Sequence, residues 1–280
     1  MFEPLQYEFF LRGLLAATLV GGLCGLIGTY IVLRQMAYIG HGLSHAIFGG
    51  AVVSYVLSIN FFIGASAWGF LSALIITLTT RRKEIAADAA IGIVTTASFA
   101  LGIAIISRYK TFTRIFDAAL YGNILGISEQ DLWAIVIVAA ISITTIILGY
   151  KLLLFTTFDK EVAQFYGIPT GWVDAGFSLI LAATIVVSLQ VLGVTLIASA
   201  IVIPPIVARL LTNSFMRMVI LSSVIGSLCG LFGIYLSFYI DVSSGATIVL
   251  FSTAVFGLVM AYTAIRHKGQ IKNISNFSDL

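Results

Sequence analysis

Residues Phe9 to Leu33 read FFLRGLLAATLVGGLCGLIGTYIVL. One arginine interrupts an otherwise uncharged run. At about 1.5 Å of rise per helical residue the run is long enough to cross a hydrocarbon layer of about 30 Å. Eight more apolar stretches follow: His41 to Ser58, Phe61 to Thr79, Ala87 to Ser107, Leu132 to Phe155, Val173 to Leu189, Leu192 to Leu211, Met218 to Phe238 and Ala246 to Ile265. The two that meet around Gln190 lie so close that one of them reads as a broken or partial helix, which leaves eight as the alternative count. The chain is 60% hydrophobic and 10% charged, with a mean hydropathy of +1.08. No soluble domain hides that much apolar surface. The fold class is therefore all-α, a polytopic transmembrane helical bundle of eight or nine spans. The ten-residue alternation of an outer-membrane barrel is absent. No cleavable signal pattern stands out, so the first stretch reads as a retained helix.

Charge sits between the spans, where it reports topology. Arg81-Arg82-Lys83 is the densest basic short loop and is assigned to the cytoplasm. By parity the loop Thr156 to Thr170, Arg34, Arg209, Arg217 and the tail from Arg266-His267-Lys268 share that side, and Glu3 and Glu8 lie on the other. Arg108, Lys110 and Arg114 conflict with this count, which makes Thr111 to Gly126 a candidate interfacial or re-entrant element. Residues 269–280 form a polar cytoplasmic tail expected to be disordered. Cys24 and Cys229 fall inside spans and read as small packing residues, not as a disulfide or thiolate site.

Small residues recur at helix-packing spacing: Gly21, Gly25 and Gly28, and Ser222, Gly226, Gly230 and Gly233. Such rows let backbones approach closely. Packing within the chain is preferred here to a seam between two copies.

Three segments carry chemistry. The first is Gly40-His41-Gly42-Leu43-Ser44-His45-Ala46, where two histidines four residues apart share one helical face. Ionisable groups in a membrane are expensive and by default functional, and paired imidazoles bind transition metals. The bland alternative has each imidazole bonded to a backbone carbonyl or to Ser44. His41, His45 and Asp241 are the metal candidates, Asp241 because it is one of few carboxylates near a membrane edge, although a helix-end role suits it better. The glutamate that would make the pair a zinc hydrolase is missing, since Gly42 stands there. No nucleophile elbow and no Walker A sequence occur, so the chain is not itself an enzyme that binds ATP by that route.

The second segment is Phe158 to Pro169, a short charged insert. Asp159 can cap a helix, Glu161 sits in its first turn, Ala163 and Phe165 supply apolar contacts, and Gly167 then Pro169 end it. An amphipathic helix of this kind docks in a partner's groove, although on shape alone an ordinary surface loop is preferred. The third runs from Gln190 through Gly193 to Pro204-Pro205, where two prolines interrupt an apolar span. Discontinuous helices mark transport paths, and a simple kink is the alternative.

Together these segments resemble the membrane subunits of metal-ion ABC importers, the zinc, manganese and iron permease family. The family pattern Gly-Asp-Ala-Leu-Ser-His-Ala stands here as Gly40 to Ala46, and Phe-Asp-Pro-Glu-x-Ala-x-x-x-Gly-Ile as Phe158 to Ile168. Gly193, Pro204, Ala208, Arg209, Leu210 and Leu211, and Ser244 to Leu250, also fit. The resemblance implies a transmembrane permease domain over residues 1–268 in an inner or plasma membrane, two copies forming the path. It implies cytoplasmic ABC ATPase subunits engaging the helix from Asp159 to Gly167, and an extracytoplasmic binding protein delivering a divalent metal ion. No permanently bound cofactor and no nucleic acid are expected. His45 matches the family histidine, and His41 stands where the family has aspartate. A second imidazole in place of a carboxylate tilts the expectation toward zinc, with manganese next. Two other readings remain: a secondary metal transporter or channel without an ATPase, and a non-transporting scaffold.

Overall fold

The computed structural model describes residues 3–80, 86–109 and 122–278. Eleven helices occur among them, and no strand: α1 (Glu8–Leu33), α2 (Tyr38–Val56), α3 (Phe61–Thr80), α4 (Ala87–Tyr109), α5 (Glu129–Leu148), α6 (Tyr150–Phe158), α7 (Lys160–Phe165), α8 (Thr170–Leu192), α9 (Ile197–Leu211), α10 (Phe215–Ile240) and α11 (Ser244–Ser278). All nine apolar stretches are mainly helical. Among the described residues, seven helices are long and apolar enough to cross a membrane: α1, α3, α4, α5, α8, α10 and the first part of α11. This corrects the expected eight or nine. The two that drop out are the informative ones. In α2, two histidines and four glycines dilute the apolar content. Helix α9 has 15 residues, about 22 Å, too short for the hydrocarbon layer.

The first helix is the hub. It packs against α10, α9, α5 and α8. Apolar burial does little to hold helices together in lipid, so close backbone contact must. The small-residue rows provide it inside the chain. A Cβ on Gly21 would run into the Gly226 carbonyl, and one on Gly230 into the Ala17 carbonyl. Ser222 Oγ donates to Gly25 O at 2.6 Å across the same seam. Cys24 is buried and free, with Sγ 3.6 Å from Ser188 Oγ of α8.

A second group, α2 with α3 and α4, joins this hub through α8 and α9. Helix α5 starts on a capping box: Asp131 N donates to Ser128 Oγ at 3.2 Å and Ser128 N to Asp131 Oδ2 at 2.9 Å. The expected single span Leu132 to Phe155 is divided at Gly149 into α5 and α6.

Side assignments from charge partly fall on undescribed residues: Arg81-Arg82-Lys83, Lys110, Arg114 and the segment from Thr111 to residue 121 lie outside the described set. The described end of that segment is a 3-10 turn, Ile124–Gly126, anchored where Asn123 N donates to Gln190 O at 2.9 Å. The tail, expected to be disordered, continues α11 as helical backbone to Ser278. No proline after Ser244 stops the ladder.

Candidate functional site

His41 and His45 lie one and two turns into α2, both half-buried. Their rings meet edge to face, centroids 4.5 Å apart. Tyr38 lies 5.5 Å from His41, and Phe99 of α4 lies 5.0 Å from His45. The imidazoles thus sit together among aromatic rings, and among the described residues neither forms a hydrogen bond. Ser44 does not hold them, contrary to the bland alternative. Its hydroxyl lies 2.8 Å from His41 O and 3.1 Å from Val194 O.

That second contact joins two of the three segments. Val194 belongs to the non-helical link between α8 and α9. The link begins at Gly193, whose φ of 74° and ψ of 163° suit glycine alone. So the discontinuity falls at Gly193, which corrects the expectation that Pro204 and Pro205 break the helix. Both prolines lie inside continuous α9. Pro205 has no N–H for the Ile201 carbonyl, and α1 approaches that carbonyl so closely that a Cβ on Gly28 would collide with it. Gln190, expected at the break, is still helical in α8.

Asp241 lies elsewhere. It caps α10 in the left-handed region, φ 52° and ψ 48°, and is exposed. It borders a cavity shared with Phe9, Phe10 and Asn123, at the end of the bundle where Phe10 packs on Phe238. Among the described residues no three His, Cys, Asp or Glu side chains gather to hold a metal ion. Asp241 therefore does not complete the histidine pair, and its helix-end role is the one the geometry gives it.

The insert after α6 folds as its residues dictate. Asp159 caps α7, accepting from Val162 N at 2.9 Å. Gly167, at φ +75°, closes it with Ile168 N donating to Ala163 O at 3.0 Å and Gly167 N to Gln164 O at 2.9 Å, the two bonds of a Schellman end. Ala163 is fully buried against the chain's own body, while Phe165 is 87% and Tyr166 73% exposed. Phe158, Trp172 and Val162 add exposed apolar surface beside them. Glu161 is exposed too.

A group that sequence reading used only for topology anchors this insert. Arg34, the cap after α1, donates to Asp174 Oδ1 at 3.0 Å, Thr156 Oγ1 at 3.0 Å and Thr157 Oγ1 at 3.1 Å. Its guanidinium lies 4.6 Å from the centre of the Phe177 ring. Burial pulls the Arg34 pKa down from its ordinary value, and the Asp174 carboxylate pulls it back up. Lys160, first residue of α7, reaches the other Asp174 oxygen at 2.7 Å. One carboxylate thus ties the end of α1, the insert and the start of α8 together beside a cavity of about 310 Å³. An arginine in a short loop is the one sequence signal that could have suggested it.

Residues 6–263 match the ABC 3 transport family. The chain is similar to the manganese transport system membrane protein MntC of Listeria monocytogenes, 36% identical over 258 residues covering 92% of each chain. It is similar to a probable iron transport system membrane protein of Haemophilus influenzae, 34% identical with 95% of this chain and 98% of that one covered. Among solved structures it resembles PsaBC from Streptococcus pneumoniae in complex with Fab, TM-score 0.82 and 33% identity, covering 92% and 93% of the two chains.

Proposed function

The chain belongs to the ABC 3 transport family, and from that premise we propose that it is the membrane-spanning subunit of an ATP-driven importer of divalent first-row metal ions, manganese first. It is a multi-pass plasma-membrane protein, with seven helices among the described residues long and apolar enough to span. The observation that carries the metal is the histidine pair, rings 4.5 Å apart on α2, a long helix too polar to count as an ordinary span.

The ion is substrate, so its site must hold weakly. Two neutral imidazoles attract a first-row ion without adding charge, and the remaining ligands are water or groups from neighbouring helices. Ser44 links the pair to the Gly193 discontinuity. A movement of α9 against α8 is therefore felt at the imidazoles. The exposed Phe165 and Tyr166 on the Asp159-capped helix offer the surface an ATPase subunit would grip. The Arg34–Asp174–Lys160 bridge carries its displacement to the end of α1, seven residues before His41. ATP hydrolysis belongs to those separate subunits, a delivery protein supplies the ion from outside, and two copies of the chain enclose the path.

The zinc preference read from His41 gives way to manganese, because relatives sharing about a third of the sequence are named for manganese. Iron(II) is the second reading, favoured by the Haemophilus relative's name and by the suitability of imidazole for iron.

The test is ATP-dependent uptake of manganese, iron(II) and zinc into vesicles holding this chain with its ATPase, the binding protein added outside. Manganese uptake that His45→Ala abolishes while the complex still assembles supports the proposal. Uptake without ATP would make the chain a secondary transporter. Equal uptake by the variant would reduce the histidines to packing.

A further inference from the structure

Buried polar atoms in native proteins are nearly always hydrogen-bonded, and each exception calls for an explanation. Among the described residues two such side-chain atoms have no partner, Trp68 Nε1 and Thr95 Oγ1. Both side chains pack on α2, Trp68 at Gly50 and Thr95 at Gly42.

Threonines in this bundle ordinarily turn the hydroxyl back onto their own helix. Thr18 donates to Leu14 O at 2.7 Å, Thr77 to Ala73 O at 2.8 Å and Thr184 to Ile180 O at 2.9 Å. Thr95 has the Ile91 carbonyl available in the same way and does not use it. Its oxygen instead faces α2, where a Cβ on Gly42 would come within 2.7 Å of it. Gly42 follows His41 and precedes His45 by three residues. Phe99, one turn beyond Thr95 on the same stripe of α4, meets the His45 ring at 5.0 Å. The hydroxyl is therefore set against the turn of α2 that carries both imidazoles. A residue larger than glycine at position 42 would push it away.

We propose that Thr95 supplies an oxygen ligand to the metal ion held by His41 and His45. The inference rests on the metal-importer reading above and adds its third donor. The resulting set, two nitrogens and one uncharged oxygen, stays neutral and weak enough to release its cargo. Oxygen ligation also favours manganese over the later ions that two imidazoles alone would prefer.

The experiment is equilibrium binding of Mn²⁺ and Zn²⁺ to the purified full-length chain in complex with its ATPase, for wild type, Thr95→Val, Thr95→Ser and His45→Ala. Valine keeps the shape and removes the hydroxyl. The expected result is manganese affinity reduced about tenfold by Thr95→Val, zinc affinity reduced less, and near-normal manganese binding by Thr95→Ser. Manganese binding by Thr95→Val equal to wild type, with His45→Ala defective, would overturn the Thr95 assignment and leave the histidine site standing. Normal binding by both Thr95→Val and His45→Ala would overturn the site itself. Equal losses in Thr95→Ser and Thr95→Val, with unchanged thermal unfolding, would make the position a packing contact and sink the ligand.

Discussion

Arg34 and Asp174, 140 residues apart in sequence, form a 3.0 Å charge-assisted hydrogen bond at one end of the bundle, with side chains 9% and 17% exposed. Removing one partner of such a pair leaves the other charge buried without compensation. Asp174→Asn is expected to lower stability by about 3 kcal/mol, read as an earlier thermal unfolding midpoint in detergent. Lys160→Ala, whose side chain is 50% exposed, should cost about 1 kcal/mol or less. Equal effects from the two variants would mean that the bridge is not centred on Arg34.

Gly226 and Gly176 predict opposite outcomes for one substitution. A Cβ at position 226 would meet the Gly21 carbonyl, while nothing lies within 4 Å of one at position 176. Gly226→Ala should destabilise by about 1–3 kcal/mol, the usual cost of overpacking. Gly176→Ala in α8 should be neutral or stabilising by up to about 1 kcal/mol. Unfolding midpoints of the two variants decide the matter.

The exposed aromatic tip of α7 separates docking from folding. Phe165→Ala should leave stability within about 0.5 kcal/mol, since the ring is 87% exposed. It should weaken recovery of the ATPase with this chain about tenfold if the ring is an interface anchor. Asp159→Ala should cost about 1 kcal/mol, confined to the fraying of α7. Full ATPase recovery by Phe165→Ala would move the docking surface elsewhere.

Acid should empty the histidine site. Neutral imidazole binds a metal ion and imidazolium does not, so protons and metal compete. Manganese binding should weaken steadily as the solution is acidified, and binding by His41→Ala should show a shallower dependence. A flat profile in the wild type would exclude imidazole ligation.

The local features of this chain were legible because they depend on neighbours in sequence. Asp159 caps α7 through Val162 N, three residues on, and Gly167 closes it through bonds to Ala163 and Gln164. The histidines share a face because a helix repeats every 3.6 residues. The proline pair misled for the same local reason: alone it looks like a break, yet α9 runs on through it, with Gly28 of α1 packed over Ile201. Asp241 misled because proximity to a membrane edge says nothing about which end of the bundle that edge occupies.

Hydropathy by itself determined that the chain is a bundle of membrane helices, because of the two architectures that satisfy their backbone groups in lipid, helices and closed barrels, only helices use uninterrupted apolar runs this long. It determined the order of the histidine helix, the capped insert and the discontinuous segment as well. Tertiary structure decided what they touch. That the small-residue rows of α1 and α10 pair within one chain follows from a fit of backbones 205 residues apart, Gly21 to Gly226. The contact of Ser44 with Val194, the Arg34–Asp174 pair and the hydroxyl of Thr95 against Gly42 likewise join distant positions. Such contacts depend on which faces the helices turn toward one another, and that choice is made by close packing over the whole bundle, not by any window of sequence.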